Sequence, residues 1–193
     1  MLRFLFRVKR KIKNIVSGVV RSLTLYELKI LYPKRISFQS KINYGKSFSI
    51  SLDNSASTVT IGSGVQFRDN CQVRSGMDGR LIIGERSFFN NNCTINCFHD
   101  ITIGNDCQFG EGVKFYDMNH KYKDNNRMIS EQGYNKGRIV VGSNCWFGSN
   151  VVVLKDVTIG DNVIIGANCL VYASIPSNSV VTISQSLVVK NRN

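Results

Sequence analysis

Two histidines, His99 and His120, are the side chains in this sequence best suited to general acid–base chemistry. His120 directly precedes a long polar excursion, at about residues 121–140, from an otherwise regular sequence. Such excursions often carry binding chemistry, and a neutral imidazole placed there can take a proton from a hydroxyl group. His120 is therefore a candidate for binding or proton-transfer chemistry, against the alternative of an ordinary surface histidine. His99, beside Asp100, reads as a corner residue, with an acceptor-site role as the minority interpretation.

Several other classes of active site do not fit this sequence. Two histidines cannot supply the three imidazoles of a catalytic zinc site, so no metal is expected. The sequence has no phosphate-binding P-loop, no serine nucleophile elbow and no paired-carboxylate site. Its six cysteines include no C-x-x-C spacing that would indicate zinc or redox exchange.

A six-residue period organises most of the chain. Each hexad starts with an aliphatic or aromatic residue, often followed by Gly, and has a small residue at position five. The pattern covers residues 61–72, 83–100, 103–120 and 141–176. Three hexads can close a triangular coil that stacks on the next by parallel strand pairing, which predicts a parallel β-helix.

The period also predicts which side chains are buried. Side chains alternate along a strand, so positions one and five should point inward and position six outward. Gly or Asn at position two should suit a corner, where positive φ is needed. Cys71, Cys93, Cys107, Cys145 and Cys169 all occupy position five, and only Cys97 lies elsewhere. We expect reduced core thiols, which favour a cytoplasmic protein.

Positive charge is concentrated at the N-terminus. Residues 1–46 hold 12 Lys and Arg against one acid, Glu27, whereas residues 47–193 hold 13 basic and 12 acidic side chains. A nucleic-acid binder would carry its basic footprint on the folded face, so no nucleic-acid partner is expected. The predicted organisation is a basic amphipathic extension at 1–46, a β-helix domain at 47–180 and a tail at 181–193.

The first 25 residues mix apolar and basic side chains. Cations between Arg7 and Lys13 interrupt the apolar stretch that a secretory signal needs, and no run of about 18 apolar residues could span a membrane. A short helix here could lie on an anionic membrane surface. It could equally pack on the domain or on another subunit, and both interpretations stay open.

From about residue 61 to 180 the chain resembles the hexapeptide-repeat acyltransferases, in the branch of galactoside, maltose and exopolysaccharide O-acetyltransferases. The most specific stretch is VGSNCWFGSNVVVLKDVTIGDNVIIGANCLVYASIPSNSVV, residues 141–181. The resemblance implies an all-β, left-handed parallel β-helix, which is an exception to the usual right-handed crossover. It also implies a homotrimer that binds acetyl-CoA in the groove between neighbouring subunits.

The resemblance carries over to individual residues. It implies that His120 is the catalytic histidine and Asn90 the acceptor-binding asparagine. It further implies that Trp146 lines the groove for the pantetheine arm, and that Ser149 and Ala167 approach CoA, the latter through its backbone N–H. For Asn90 there is an alternative: an Asn at a corner can have a purely structural role in the turn.

Several of the outward-facing side chains at position six are apolar. The residues concerned are Phe88, Trp146, Val152, Ile164 and Leu170. An apolar exterior of this kind is expected to meet another subunit or the CoA arm rather than water.

Two departures from the family pattern leave the contacts to the adenosine and its phosphate open. Tyr172 and Ala173 stand where relatives often have Thr-Lys, and residues 183–187 replace the usual Gly-x-Pro-x-Lys. Lys190 and Arg192 are the substitutes that the tail offers.

The expected function is acetyl-CoA-dependent O-acetylation of a saccharide in capsule, exopolysaccharide or other cell-surface glycan biosynthesis, inside the cell or on the inner face of the membrane. His120 would take the hydroxyl proton as the oxygen attacks the thioester, and a backbone N–H or Asn90 would stabilise the oxyanion. Direct transfer is expected because the thiols are assigned to the core. The alternatives are N-acylation of an amino-sugar nucleotide and a non-catalytic solenoid that binds a partner.

Overall fold

A computed structural model describes residues 25–40 and 42–183. Residues 25–31 are helical. The predicted membrane-surface helix at 1–25, and Lys190 and Arg192 of the tail, lie outside the described residues, apart from residue 25 itself. The chain divides into two compact units, residues 1–37 and 38–193, and the second unit contains the hexapeptide repeats.

The described chain is almost entirely short β-strands. In chain order they are β1 (Ile36–Phe38), β2 (Asn43–Tyr44), β3 (Ser49–Leu52), β4 (Thr58–Ile61), β5 (Gln66–Phe67), β6 (Gln72–Ser75), β7 (Arg80–Ile83), β8 (Phe88–Phe89), β9 (Thr94–Cys97), β10 (Asp100–Ile103), β11 (Gln108–Phe109), β12 (Lys114–Tyr116), β13 (Met118–His120), β14 (Tyr134–Lys136), β15 (Arg138–Val141), β16 (Trp146–Phe147), β17 (Val152–Leu154), β18 (Val157–Ile159), β19 (Ile164–Ile165), β20 (Leu170–Val171) and β21 (Val180–Val181). A 3-10 helix, Ile129–Glu131, lies between β13 and β14.

Successive strands of the second unit visit three parallel sheets in turn. The first face contains β4, β7, β10, β15 and β18, the second β2, β5, β8, β11, β16, β19 and β21, and the third β3, β6, β9, β12, β17 and β20. The predicted fold class, a left-handed parallel β-helix of hexapeptide repeats, is confirmed. Strand pairing on the second face already starts at Asn43, before the predicted start of the domain at residue 47. We call the turn from the second to the third face the second corner, and the turn from the third to the first face the third corner.

Alternation along the strands produces the core, as predicted. Position one is buried in every hexad, position five is buried in all but three (at His99, Asn119 and Ile175), and position six is partly or fully exposed. Phe67, Phe89, Phe109 and Phe147 stack from coil to coil inside the second face, with successive ring centroids 4.7, 4.4 and 4.8 Å apart. Each buried Phe contributes about 1.5–3 kcal/mol of hydrophobic stabilisation. The repeat is therefore stable only as a stack, because each coil covers the next.

The cysteines belong to this core. All six are reduced and buried, including Cys97, which lies outside the hexad position of the others. The prediction of core thiols is confirmed. Several thiols donate to backbone carbonyls of a stacked coil, as Cys93 Sγ does to the Gly110 oxygen at 3.2 Å, so these small polar groups are satisfied inside the coil.

The corner glycines lie where predicted, but positive φ is not the reason for them. Positive φ occurs at position four of the hexads, as at Asn92 (62°) and Asn150 (60°), and not at the position-two glycines. Asn adopts this left-handed conformation more readily than most residues. Position two needs Gly because stacked corners approach closely: a Cβ on Gly148 would lie 2.4 Å from the Ala167 nitrogen.

The excursion after β12 is an antiparallel hairpin. Strand β13 pairs with β14, with Met118 opposite Lys136 and His120 opposite Tyr134. The hexad assigned to residues 115–120 was therefore wrong beyond Tyr116, because the chain leaves the coil at Asp117. His120 is exposed, as expected, but it lies on the hairpin and not on a face of the β-helix.

Candidate functional site

His120 ends the first strand of the hairpin that rises from the third corner. Its imidazole packs against the Tyr134 ring across the hairpin, with centroids 4.6 Å apart and planes inclined by 47°. Tyr134 in turn contacts Phe98 of the underlying corner, at 6.4 Å between centroids. These aromatic contacts hold the exposed imidazole against the β-helix. His120 also lines a cleft of about 660 Å³.

Asp117 anchors the base of the hairpin. Its side chain is fully buried. Oδ1 accepts the Phe98 N–H at 2.8 Å, and Oδ2 accepts the N–H groups of His99 and Asp100 at 2.8 and 3.0 Å. Burial raises the pKa of this carboxyl, and the three N–H bonds oppose that shift only in part. The Asp117 carbonyl also accepts the N–H of Gly137 at 2.8 Å, so this residue joins the third corner to both ends of the hairpin.

A second contact fixes the returning strand. Lys136 Nζ donates to Asp78 Oδ1 at 2.5 Å, and Asp78 Oδ2 lies 3.8 Å from His99 Nδ1. The ammonium of Lys136 lowers the pKa of the Asp78 carboxyl. His99 is thus a residue of the third corner, and it lies one coil away from the hairpin that carries His120.

The second corner has backbone donors without partners. Earlier in this corner, the position-three N–H donates to a side chain one coil on: Lys46 N to Asp69 Oδ1 at 2.7 Å, and Asp69 N to Asn91 Oδ1 at 3.2 Å. In the part of the chain that the structure describes, the N–H groups of Ser149 and Ala167 have no hydrogen-bond partner. Ala167 has no side-chain acceptor to offer Ser149. Two adjacent coils therefore present N–H groups that a ligand could use.

Trp146 lies on the second face, immediately before this corner. It is 56% exposed, and Ile164, its neighbour on β19, is 38% exposed. A Trp ring and an Ile side chain in register form an apolar strip beside the free N–H groups. This combination of apolar surface and backbone donors suits a long ligand with an apolar arm and amide carbonyls.

Asn90 occupies the same corner, nearer the N-terminus. Its Oδ1 accepts the N–H of Asn91 at 2.9 Å, and its backbone oxygen accepts the Cys71 thiol at 3.0 Å. The side-chain oxygen therefore serves the turn, as the alternative interpretation held. The amide nitrogen has no hydrogen-bond partner among the described residues and is still able to donate to a ligand.

The predicted site residues fall into two groups within one chain. Asn90, Ser149 and Ala167 share the second corner, and Trp146 lies beside it. His120 stands at the third corner, and the whole third face separates it from the other four. One chain does not bring these five residues together.

Sequence reasoning missed Asp117 and Tyr134. Asp117 lies three residues before His120, at position three of its hexad, a position to which the repeat assigned no role. The signal that could have identified it is the Asp-x-x-His spacing just before a long excursion. Tyr134 could not be linked to His120, because their contact depends on hairpin pairing across the excursion.

Neither a membrane-spanning helix nor a metal cluster occurs in the described ranges, 25–40 and 42–183. No helix there is long and apolar enough to cross a membrane. In the same ranges, no group of three or more His, Cys, Asp and Glu side chains could hold a metal ion.

Comparison with known proteins places this geometry in context. The family described as bacterial transferase hexapeptide (six repeats) matches residues 138–173. A lipopolysaccharide biosynthesis O-acetyl transferase, WbbJ of Escherichia coli, is 30% identical over 147 residues, which cover 69% of this chain and 73% of the relative. A protein of Mycobacterium tuberculosis named as an acetyltransferase is 28% identical over 174 residues; these cover 90% of this chain but only 57% of the relative.

A solved structure supports the fold. A point mutant of AntD, an N-acyltransferase from Bacillus cereus, was crystallised with dTDP and coenzyme A. It is similar to this chain with a TM-score of 0.62 and 16% sequence identity, over 86% of this chain and 89% of that one. At this identity the likeness concerns the fold alone.

Proposed function

Since the chain belongs to the hexapeptide-repeat acetyltransferase family, we propose that it is an acetyl-CoA-dependent O-acetyltransferase that acts on a saccharide hydroxyl. The relative named as a lipopolysaccharide biosynthesis O-acetyl transferase supports a role in cell-surface glycan biosynthesis. The observation that carries the proposal is the placement of His120: an exposed imidazole, packed on Tyr134 and lining a cleft large enough for a sugar.

His120 acts as the general base. In its neutral form it accepts the proton of the sugar hydroxyl as that oxygen attacks the thioester carbonyl, a contribution that is typically about 10²–10⁴-fold in rate. The Tyr134 ring limits rotation of the imidazole, and Asp117 fixes the start of the hairpin. The His120 imidazole is therefore in position before the substrate binds. The amide nitrogen of Asn90 or a backbone N–H stabilises the oxyanion.

Trp146, Ser149 and Ala167 hold the acetyl donor. The pantetheine arm lies along the apolar strip at Trp146, and the free N–H groups of the second corner donate to its amide carbonyls. Acetyl-CoA supplies an activated acetyl group whose thiolate leaves readily. All six cysteines are buried in the core, which supports direct transfer to the sugar without an acetylated cysteine.

The complete site requires a second copy of the chain. The third face separates the groups at the second and third corners, so His120 of one subunit meets the second corner of its neighbour. The exposed apolar side chains of Trp146, Ile164 and Leu170 supply the surface for that contact. We infer the homotrimer of the family, with one acetyl-CoA groove at each subunit interface.

The cellular context forms part of the same proposal. Acetyl-CoA is a cytoplasmic metabolite, so the enzyme works on the cytoplasmic side, on a saccharide intermediate. For the basic and apolar residues 1–25 the two interpretations stay open: contact with an anionic membrane surface, which would bring the enzyme to a membrane-bound acceptor, or packing on the domain or on another subunit.

His120→Ala tests this function. We expect kcat for acetyl transfer to an accepted sugar to fall by about 10²–10⁴-fold, with the melting temperature and oligomeric state nearly unchanged because His120 lies outside the core. His99→Ala is the matched control, since it removes the other imidazole at the same corner and should retain most activity. The assay follows thiol release across saccharide and amino-sugar nucleotide acceptors. Retained activity in His120→Ala with loss in His99→Ala contradicts the assignment, and transfer only to amines selects the N-acyl alternative.

A further inference from the structure

The cleft beside His120 is strongly basic. Its volume is about 660 Å³, and it is formed by the hairpin and the chain that connects the hairpin strands. Lys121, Lys123 and Arg127 line it, against a single carboxylate, Asp124. Every charged side chain of the cleft comes from the excursion, so this basic character is separate from the charge of residues 1–46.

These three cations differ from most of those on the coils. Arg74, Arg80 and Arg86 each contact a carboxylate of a neighbouring coil, at 2.5–2.8 Å, and Lys136 of the hairpin pairs with Asp78. By contrast, Lys121, Lys123 and Arg127 form no ion pair with any described acidic residue. Unneutralised cations that share a concave site concentrate anions there.

The cleft is also internally braced. Gln132 Nε2 donates to the carbonyls of Asp124 and Arg127 at 2.8 and 3.0 Å, and Gln132 Oε1 accepts the Asp124 N–H at 3.1 Å. Arg127 donates from one terminal nitrogen to the Glu131 carbonyl at 2.5 Å. The backbone that carries these charges is thus tied across the connection, and Arg127 keeps further N–H donors for a ligand.

We propose that the cleft binds the anionic group of the acceptor, a phosphate or a carboxylate on the saccharide, and so selects acidic sugars over neutral ones. The proposal deepens the function above and rests on it. An anion held by Lys121, Lys123 and Arg127 would place the neighbouring sugar ring beside the imidazole of His120, which lines the same cleft. Charge-assisted hydrogen bonds from Lys and Arg to phosphate or carboxylate are roughly twice as strong as neutral ones.

The test compares three acceptors that share one sugar ring: glucose 1-phosphate, glucuronate and methyl glucoside. Lys121→Gln, Lys123→Gln and Arg127→Gln each remove one charge in the full chain, and Lys46→Gln is the matched control, an exposed cation outside the excursion. We expect each cleft variant to raise KM for both acidic acceptors by about fivefold to tenfold, with little change for methyl glucoside or in KM for acetyl-CoA. Arg127→Lys should restore part of the loss.

A second measurement does not depend on turnover. Calorimetric titration of wild-type protein with glucose 1-phosphate should show binding that weakens with salt and weakens further in the cleft variants, but not in Lys46→Gln. Binding without acetyl transfer to any acceptor would overturn the proposed function and leave the anion site standing. Acetylation of methyl glucoside as readily as of the acidic sugars, in all variants, would overturn the anion site and leave the function. A rise in KM for acetyl-CoA instead would assign the cations to the CoA phosphates and also overturn the proposal.

Discussion

Removal of the Asp117 carboxylate should destabilise the β-helix at the third corner. Asp117→Ala leaves the N–H groups of Phe98, His99 and Asp100 without their acceptor at a buried position. Each buried donor left unpaired costs about 1–3 kcal/mol. Water will reach some of them, so we expect a loss of about 3–6 kcal/mol in the free energy of unfolding.

Asp117→Asn separates the hydrogen bonds from the effect of side-chain size. If its single carbonyl oxygen takes the place of Oδ2, the bonds from His99 and Asp100 remain, and the amide nitrogen then faces the N–H of Phe98. One donor is lost, which predicts about 1–3 kcal/mol, clearly less than for Ala. Asp106→Asn is the control, because that exposed carboxylate pairs only with Arg86 at the surface, and it should change stability far less.

The assay is urea unfolding followed by circular dichroism at fixed protein concentration. The pH dependence has a definite sign. The pKa of Asp117 is raised in the folded protein. Its contribution to the free energy of unfolding is therefore fully present below the pKa of the unfolded state, about 3.9, and declines as pH rises through the pKa of the folded state. The advantage of wild type over Asp117→Asn should therefore shrink with rising pH. An Asp117→Ala protein whose free energy of unfolding lies within about 1 kcal/mol of the wild-type value would refute the stabilising role of the three Asp117 hydrogen bonds.

Two further predictions concern assembly and the core. Light scattering should give the mass of a trimer at micromolar concentration, because the exposed apolar side chains of Trp146, Ile164 and Leu170 need a partner; a monomer would contradict this. All six cysteines should titrate as free thiols in denaturant and resist thiol reagents in the native protein, because each is buried. Rapid labelling of several native thiols would contradict the stacked core.

The repeat made most of the fold predictable, because alternation along a strand is a local property. Cys107 and Phe109 flank Gln108, and the sequence alone places the first two inside and the third outside, as the structure does. The corners were less predictable. A Gly shows only that a side chain is not tolerated, and the choice between positive φ and close approach depends on the stacked neighbour, as for Gly148 against Ala167.

The sequence identifies candidate site residues, whose roles stay predictions, but it does not give the geometry that surrounds them. His120 could be singled out because it stands where the period breaks. Asp117 could not, since burial of a position-three residue occurs only because the chain leaves the coil there. A carboxylate at an ordinary corner accepts one N–H group of a neighbouring coil, as Asp69 does from Lys46, whereas Asp117 accepts three N–H groups of the coil below. Asp117, which anchors the hairpin, could not be identified from the sequence because the repeat assigns its position no buried role.

The unpaired N–H groups of the second corner also depend on how the coils stack. Asp69 and Asn91 place an acceptor over the N–H of the coil before, so the corner closes on itself. Ala167 places none over Ser149, and the corner stays open to a ligand. The N–H of Glu111, one coil before Ser149, likewise has no hydrogen-bond partner among the described residues, although Ser149 carries a hydroxyl. Whether this corner closes therefore depends on where the next coil places its side chains as well as on their type, and this becomes visible only once the stacking register is known. Since His120 lies across the third face from this opening, the same register is the reason for our proposal that a neighbouring subunit completes the site.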